Sequence, residues 1–198
     1  MIQSARFIMY AETTPNPLAL KIVLGVPPVD HGYFLFSSLA EGKNNPVLED
    51  ILSLPGVESI LLTPEFVTIN KTESVPWTLL ESIVMSIFQH HLGAFPLALE
   101  SVIPVNADQD RWHNWVPGTP ELQAVCKDIE DLIDGRIRPA VEADGGMISF
   151  CGYEDGIVYV KLQGACSSCP HSQETLTGGI EQTLRYYVPE ITAVHLVL

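Results

Sequence analysis

Basic side chains are scarce in this chain: 10 lysines and arginines stand against 24 aspartates and glutamates, a formal net charge of −14 over 198 residues. A surface of that sign gains nothing from displacing counterions on a polyanion, so nucleic acid is not an expected partner. No stretch approaches the run of about 18 apolar residues that reads as a membrane-spanning helix, so no membrane partner is expected either. The opening Met1-Ile2-Gln3-Ser4-Ala5-Arg6 lacks a basic segment followed by an apolar core, and does not read as a secretory signal. Cysteine is sparse too. The four are Cys126, Cys151, Cys166 and Cys169, and without an evident pairing pattern they fit a reducing compartment. These absences predict a cytoplasmic protein of bacterial type; a processed protein of the mitochondrial matrix would look the same if the source is eukaryotic.

What is present is enough apolar residue, 46% of the chain, to build a core. Phe7 to Glu12 and Ala19 to Val23 read as strands separated by Thr13-Thr14-Pro15-Asn16-Pro17, where two prolines enforce an extended, turn-rich connection. Tyr33 to Phe36 reads as a third strand. Pro46 opens a helix that Pro55-Gly56 stops. Val57 to Leu62 and Phe66 to Asn70 form a hairpin around Thr63-Pro64-Glu65, and Trp77 to Leu92 is a second helix with apolar residues at 3–4 spacing. His90-His91 ends it. Neighbouring helical residues point about 100° apart, so the pair reads as a cationic cap of the helix C-terminus rather than a facing metal pair. Nothing in this region groups a nucleophile with a base, or ligands at metal spacing.

From Gly93 to Thr119 the periodicity fails and Pro96, Pro104 and Pro117 punctuate the run, which reads as a linker. Trp112 and Trp115 within it are expected either to dock on a domain or to form a partner-binding patch. Glu121 begins a helix interrupted by Gly135 and Pro139, with Cys126 on its buried stripe. Asp144-Gly145-Gly146 ends the helical stretch. Met147 to Gly152 and Gly156 to Leu162 read as a hairpin around Tyr153-Glu154-Asp155, with Cys151 packed on the sheet. A helix over 171–187 and a strand from Ile191 to Leu198 complete the chain. The expected fold class is therefore α+β. Two small domains, 1–92 and 120–198, are joined by the proline-containing linker 93–119, and the second is ordered helix–strand–strand–helix–strand.

The chemistry concentrates at Gly164-Ala165-Cys166-Ser167-Ser168-Cys169-Pro170, a strand-to-helix turn with two thiols three apart. Pro170 suits the first helical position, which places Cys169 near the N-cap. The helix N-terminus is expected to lower the thiol pKa and favour thiolate, the form that binds metal or attacks a disulfide. Three chemistries compete. In a dithiol exchanger Cys166 would attack and Cys169 resolve, but that motif normally opens a larger βαβ unit, and no parallel partner strand is expected here. A structural zinc needs four ligands, so Cys151, Cys126 or His171 would have to join the two thiols. A [4Fe–4S] cluster takes four thiolates, of which one chain supplies two and a symmetric pair of chains all four.

These residues resemble a known family. Ile137-Arg138-Pro139-Ala140-Val141, Ala143-Asp144-Gly145-Gly146, Val158 to Pro170, and Thr175-Leu176 with Gly179-Ile180-Glu181 resemble the C-terminal domain shared by Nfu and NifU scaffold proteins. Thr14-Pro15-Asn16-Pro17 with Leu20-Lys21, Leu54-Pro55-Gly56-Val57, and Pro64 to Ile69 resemble the N-terminal domain that accompanies it in Nfu proteins. The resemblance implies a non-enzymatic carrier. It implies a labile [4Fe–4S] cluster held by Cys166 and Cys169 between two protomers of a homodimer. Upstream assembly machinery would supply the cluster and apo iron–sulfur proteins would receive it. Two positions depart from the pattern: Met147 stands where the family often has an acid, and Thr177 where it often has lysine.

Overall fold

The computed structural model describes residues 8–99, 118–167 and 170–197, and of 170–174 the backbone alone. The chain divides into two compact units, Met1–Val105 and Asn106–Leu198. The greater part of the predicted linker, including Trp112 and Trp115, lies outside the described residues.

The first unit is a five-stranded antiparallel sheet in the order β1-β2-β5-β4-β3 with two helices. The strands are β1 (Tyr10–Thr13), β2 (Ala19–Val23), β3 (Phe34–Phe36), β4 (Val57–Leu62) and β5 (Val67–Lys71). Helix α1 (Pro46–Leu52) starts as its sequence dictates: Asn45 Oδ1 accepts the Val47 and Leu48 N–H groups, and Pro46 has no N–H to satisfy. Helix α2 (Trp77–His90) buries Leu80, Val84 and Phe88 against Ile22, Phe36, Ile51, Ile60 and Ile69. The proline turn before β2 is held locally. Asn16 Oδ1 accepts the Leu18 N–H, and the Trp77 indole N–H donates to the Pro17 carbonyl at 2.9 Å, tying α2 to the turn. At the C-terminus of α2 the ring of His91 does not cap carbonyls. It reaches across to Asp50 of α1 at 2.8 Å, so the predicted cap is an inter-helix contact instead.

The second unit begins with α3 (Pro120–Leu132), capped by Thr119, whose Oγ1 accepts the Leu122 N–H. The break or kink expected from Gly135 and Pro139 before Val141 takes the form of a wider turn. Residues Ile133–Ile137 wind as one π turn, in which the Arg138 N–H donates to the Ile133 carbonyl, and α4 (Arg138–Ala143) follows without interruption. Pro139 has no N–H to donate, and a wider turn relieves the clash of its ring with the carbonyl four residues earlier.

Strands β6 (Gly146–Glu154) and β7 (Ile157–Gly164) form the hairpin, longer than the sequence pattern indicated. Glu154 pairs with Ile157, so the turn is Asp155-Gly156, both at positive φ (49° and 82°). This is the two-residue arrangement whose twist matches the flanking strands. Helix α5 (Pro170–Tyr187) begins at the proline and leads to β8 (Ala193–Leu196). Strand β8 lies parallel to β7 in the sheet order β6-β7-β8. The expectation that no parallel partner strand exists is therefore overturned: β7–α5–β8 is a crossover unit, and the thiol turn sits where strand passes into crossover helix. Ile129, Ile133, Val141, Ile148, Val158, Val160, Ile180 and Leu184 make the core of this unit.

Candidate metal centre

Gly164 ends β7 at φ +67°, a backbone conformation that a side chain disfavours. The chain then folds into a tight turn. The Ser167 N–H donates to the Gly164 carbonyl at 3.2 Å, and the Ser167 hydroxyl donates to the same oxygen at 2.8 Å. The Ala165 N–H donates to the Gly145 carbonyl at 3.1 Å, which ties this turn to the loop that opens β6. Gly145 itself is at φ +78°, and Gly146 pairs with Gly164 in the sheet.

These bonds aim Cys166 inward. It is only 6% exposed and belongs to the hydrophobic core of its unit, whereas Ser167 beside it is exposed. Its Sγ lies over the bare Cα of Gly146: a Cβ there would stand 2.4 Å from the sulfur and 3.0 Å from Val141 Cγ1. Gly146 thus supplies the floor of the thiol's berth by having no side chain. Arg138 fixes that floor from behind. Its Nη1 donates to the Ile148 carbonyl at 2.8 Å and to Met147 Sδ at 3.0 Å, while the rest of the guanidinium holds Asp134. Met147 is 4% exposed, so in this chain a thioether occupies the seat against Arg138.

The expected lowering of the thiol pKa is not what Cys166 shows. Burial, with the Asp144 carboxylate as the smaller cause, pushes it up from 9.0 to about 11. Thiolate is the ligating form, so at neutral pH this arrangement holds Cys166 as a protonated, sheltered thiol. The sequence pattern of strand, turn and proline indicated the helix terminus but could not show that the Cys166 side chain is buried over Gly146.

Cys169, the other predicted ligand, lies outside the described residues, as does the side chain of His171. Cys126 is buried on α3, 5% exposed, and burial followed by the Glu130 charge raises its pKa. Cys151 is half-buried at a bulge in β6 between Phe150 and Gly152, with its Sγ 3.8 Å from the Ser149 carbonyl. Among the described residues no three His, Cys, Asp or Glu side chains converge as a metal site. The sequence reasoning missed Gly146 and Arg138 as parts of the thiol's surroundings. The matching motif residues Gly145-Gly146 and Ile137 to Val141 were the signal available for them.

Comparison with known proteins covers both units. The family model described as "NifU-like domain" matches residues 129–195, and "Scaffold protein Nfu/NifU N terminal" matches residues 8–94. The chain belongs to the Nfu/NifU scaffold family. Among Nfu relatives, the human "NFU1 iron-sulfur cluster scaffold homolog, mitochondrial" is 36% identical over 194 residues, covering 96% of this chain and 72% of that protein. "NifU-like protein 4, mitochondrial" of Arabidopsis thaliana is 33% identical, covering 97% of this chain and 66% of that protein. This chain therefore spans about two thirds of the length of such Nfu relatives. A solved NifU-like protein from Saccharomyces cerevisiae is 28% identical, with a TM-score of 0.41, over 47% of this chain and 85% of that one. Both Nfu relatives are named as mitochondrial, so the expectation of a bacterial-type cytoplasm finds no support among them. No helix among the described residues is long and apolar enough to cross a membrane.

Proposed function

We propose that this protein is a non-enzymatic scaffold that binds an iron–sulfur cluster as cargo and hands it to apo-proteins. The observation that carries the reading is the match of both family models in order along one chain, with the Cys166/Cys169 turn inside the C-terminal one. Cys166 and Cys169 are the ligands in this reading. One chain offers two thiolates, and a cubane [4Fe–4S] cluster takes four, so two protomers meet at the cluster as a homodimer. Upstream assembly machinery loads it, apo iron–sulfur proteins receive it, and a mitochondrial matrix fits the named relatives. Residues 1–92 and 120–198 act as separate domains joined by 93–119. The first, without cysteine, serves recognition or assembly rather than ligation.

The berth of Cys166 gives the loading step a physical form. Ligation requires the thiol to lose its proton and leave its seat over Gly146, so cluster binding and rearrangement of the Gly164–Ser167 turn are one event. Release returns the sulfur to the core and reprotonates it. A sheltered thiol between cargoes is protected from oxidation, which follows thiolate character and exposure.

The β7–α5–β8 crossover favours a second reading, a dithiol exchanger, because it supplies the parallel strand that such motifs use. The raised pKa of Cys166 counts against it, since attack needs thiolate. Anaerobic purification followed by visible and Mössbauer spectroscopy separates the two. A scaffold shows sulfur-to-iron absorption and a cubane signature that Cys166→Ser or Cys169→Ser abolishes and Cys151→Ser retains. A colourless protein with a titratable disulfide overturns the scaffold reading.

A further inference from the structure

Helix α5 carries two glycines in its interior, Gly178 and Gly179, halfway along its 18 residues. Neither is at positive φ, and a Cβ added to either would meet nothing within 4 Å. Backbone geometry and close packing therefore give no reason for them, and in a helix interior each costs stability relative to alanine. The Gly179 carbonyl also accepts the Thr183 hydroxyl at 2.8 Å, a back-bond of the kind that loosens and bends helices. The two sides of this weak point are held differently. After it, Ile180, Leu184 and Val188 are buried. There the Glu181 carboxylate accepts the Val194 N–H at 3.2 Å, and Arg185 donates to the Ile191 and Thr192 carbonyls, fastening the helix to β8 and the turn before it. Before it, Thr175 is exposed, and Leu176 and Thr177 are only half-buried.

We propose that Gly178-Gly179 is a hinge on which the first turns of α5 swing to free Cys166 from its seat over Gly146. Cys166 stands four positions before Pro170, so a displaced helix start pulls on the thiol turn. The lever from Pro170 to Gly178 is about 12 Å long. A kink of about 20° at its base moves the tip by about 4 Å, roughly the width of the sulfur that has to leave. The helical hydrogen bonds across the pair can yield without repacking the core, because Ile180, Leu184 and Val188 all lie beyond it. Hinges of this kind concentrate a movement in a few small residues and leave the elements on either side rigid. The hinge rests on the scaffold reading for what the movement serves: it lets a buried thiol reach a cluster without unfolding the unit around it.

The test compares the full-length chain with a double variant, Gly178→Ala with Gly179→Ala, for which both positions have room. In the apo-protein, hydrogen exchange read by mass spectrometry should run about tenfold or more faster over 175–179 than over 184–187. The double variant should slow exchange over 175–179 by about tenfold. Alkylation of Cys166 by iodoacetamide, in a Cys126→Ser, Cys151→Ser background, should slow by a similar factor, since the thiol reacts only once it leaves its seat. Cluster uptake followed by visible absorption should slow as well. Equal exchange on the two sides of the glycines in the parent chain overturns the hinge, and that comparison needs no variant. Unchanged alkylation in the variant also overturns it, even where uptake slows, because the glycines would then serve an approaching partner and not the thiol. Exchange and alkylation are read without cluster, so they judge the hinge alone. A parent chain that takes up no cluster fails the scaffold reading alone.

Discussion

Gly146→Ala tests the berth of Cys166 most directly. The added Cβ would stand 2.4 Å from Sγ and 3.2 Å from the Cys166 Cβ, where unstrained carbon contacts begin at about 3.5 Å. An overlap of about 1 Å must be relieved by moving one atom or the other. Gly146 is paired within β6 and is not at positive φ, so alanine is conformationally permitted and the backbone has little reason to yield. The sulfur is the mobile party: rotation about χ1 carries it out of the core toward the turn surface. Overpacking costs about 1–3 kcal/mol, and the loss of unfolded-chain freedom on replacing glycine returns about 0.4–1 kcal/mol, so the net destabilisation should be about 1–2 kcal/mol. The larger effect is chemical. With the pKa falling from about 11 toward the ordinary 9.0, the thiolate fraction at pH 8 rises by up to about a hundredfold. Alkylation of Cys166 in the apo-protein, followed by peptide mass spectrometry in a Cys126→Ser, Cys151→Ser background, should accelerate by about tenfold or more. An unchanged rate in a variant with native circular dichroism would refute the account of Gly146 as the floor of the berth.

Two further outcomes follow from the same surroundings. Because the folded-state pKa of Cys166 is raised above its unfolded value, its contribution to stability is fully present below about pH 9. It is lost as pH climbs toward about 11. Denaturant titrations across that window should show a decline about 2–3 kcal/mol larger than in Cys166→Ala; equal declines would mean that the thiol is not buried in solution. Arg138→Ala strips a charged donor from the Ile148 carbonyl and should cost about 1.5–3 kcal/mol. It should also raise Cys166 reactivity by loosening the Gly145-Gly146 loop. A loss of stability without any change in reactivity would confine Arg138 to a structural role.

The sequence was most informative where local chemistry decides local structure. Pro46 and Pro170 each mark a helix start, and each helix begins there, because the N–H that proline lacks would be unpaired in the first turn anyway; the third helix starts at Pro120, one residue before the Glu121 that the pattern indicated. It was least informative where a partner is remote. Gly135 and Pro139 read as a break or kink because the ring of Pro139 cannot fit an α-turn; that the chain resolves this as one π turn, with Ile133, Ile137 and Val141 in one core, is not visible in the pattern. The pattern of β8 gives its faces but not its neighbour, so its parallel pairing with β7 was not visible. The inward aim of Cys166 depends on a glycine twenty residues earlier that matters for what it lacks. The family motifs flagged that glycine without giving its reason.

The π turn carries a further meaning for how this chain tolerates change in length. A helix wound one residue wide leaves the segments on either side out of phase by about 100° relative to continuous α-winding. Deleting one residue from 133–137 would remove the wider turn that accommodates Pro139, whose ring and missing N–H do not fit continuous α-winding. It would also swing Val141 and the Gly145-Gly146 loop away from β7. The thiol would lose its shelter without the loss of any contact within the turn that bears it. The resting state of Cys166 is therefore set by a residue count some thirty positions upstream, and a silent-looking indel there would act on the cysteine as a substitution beside it would.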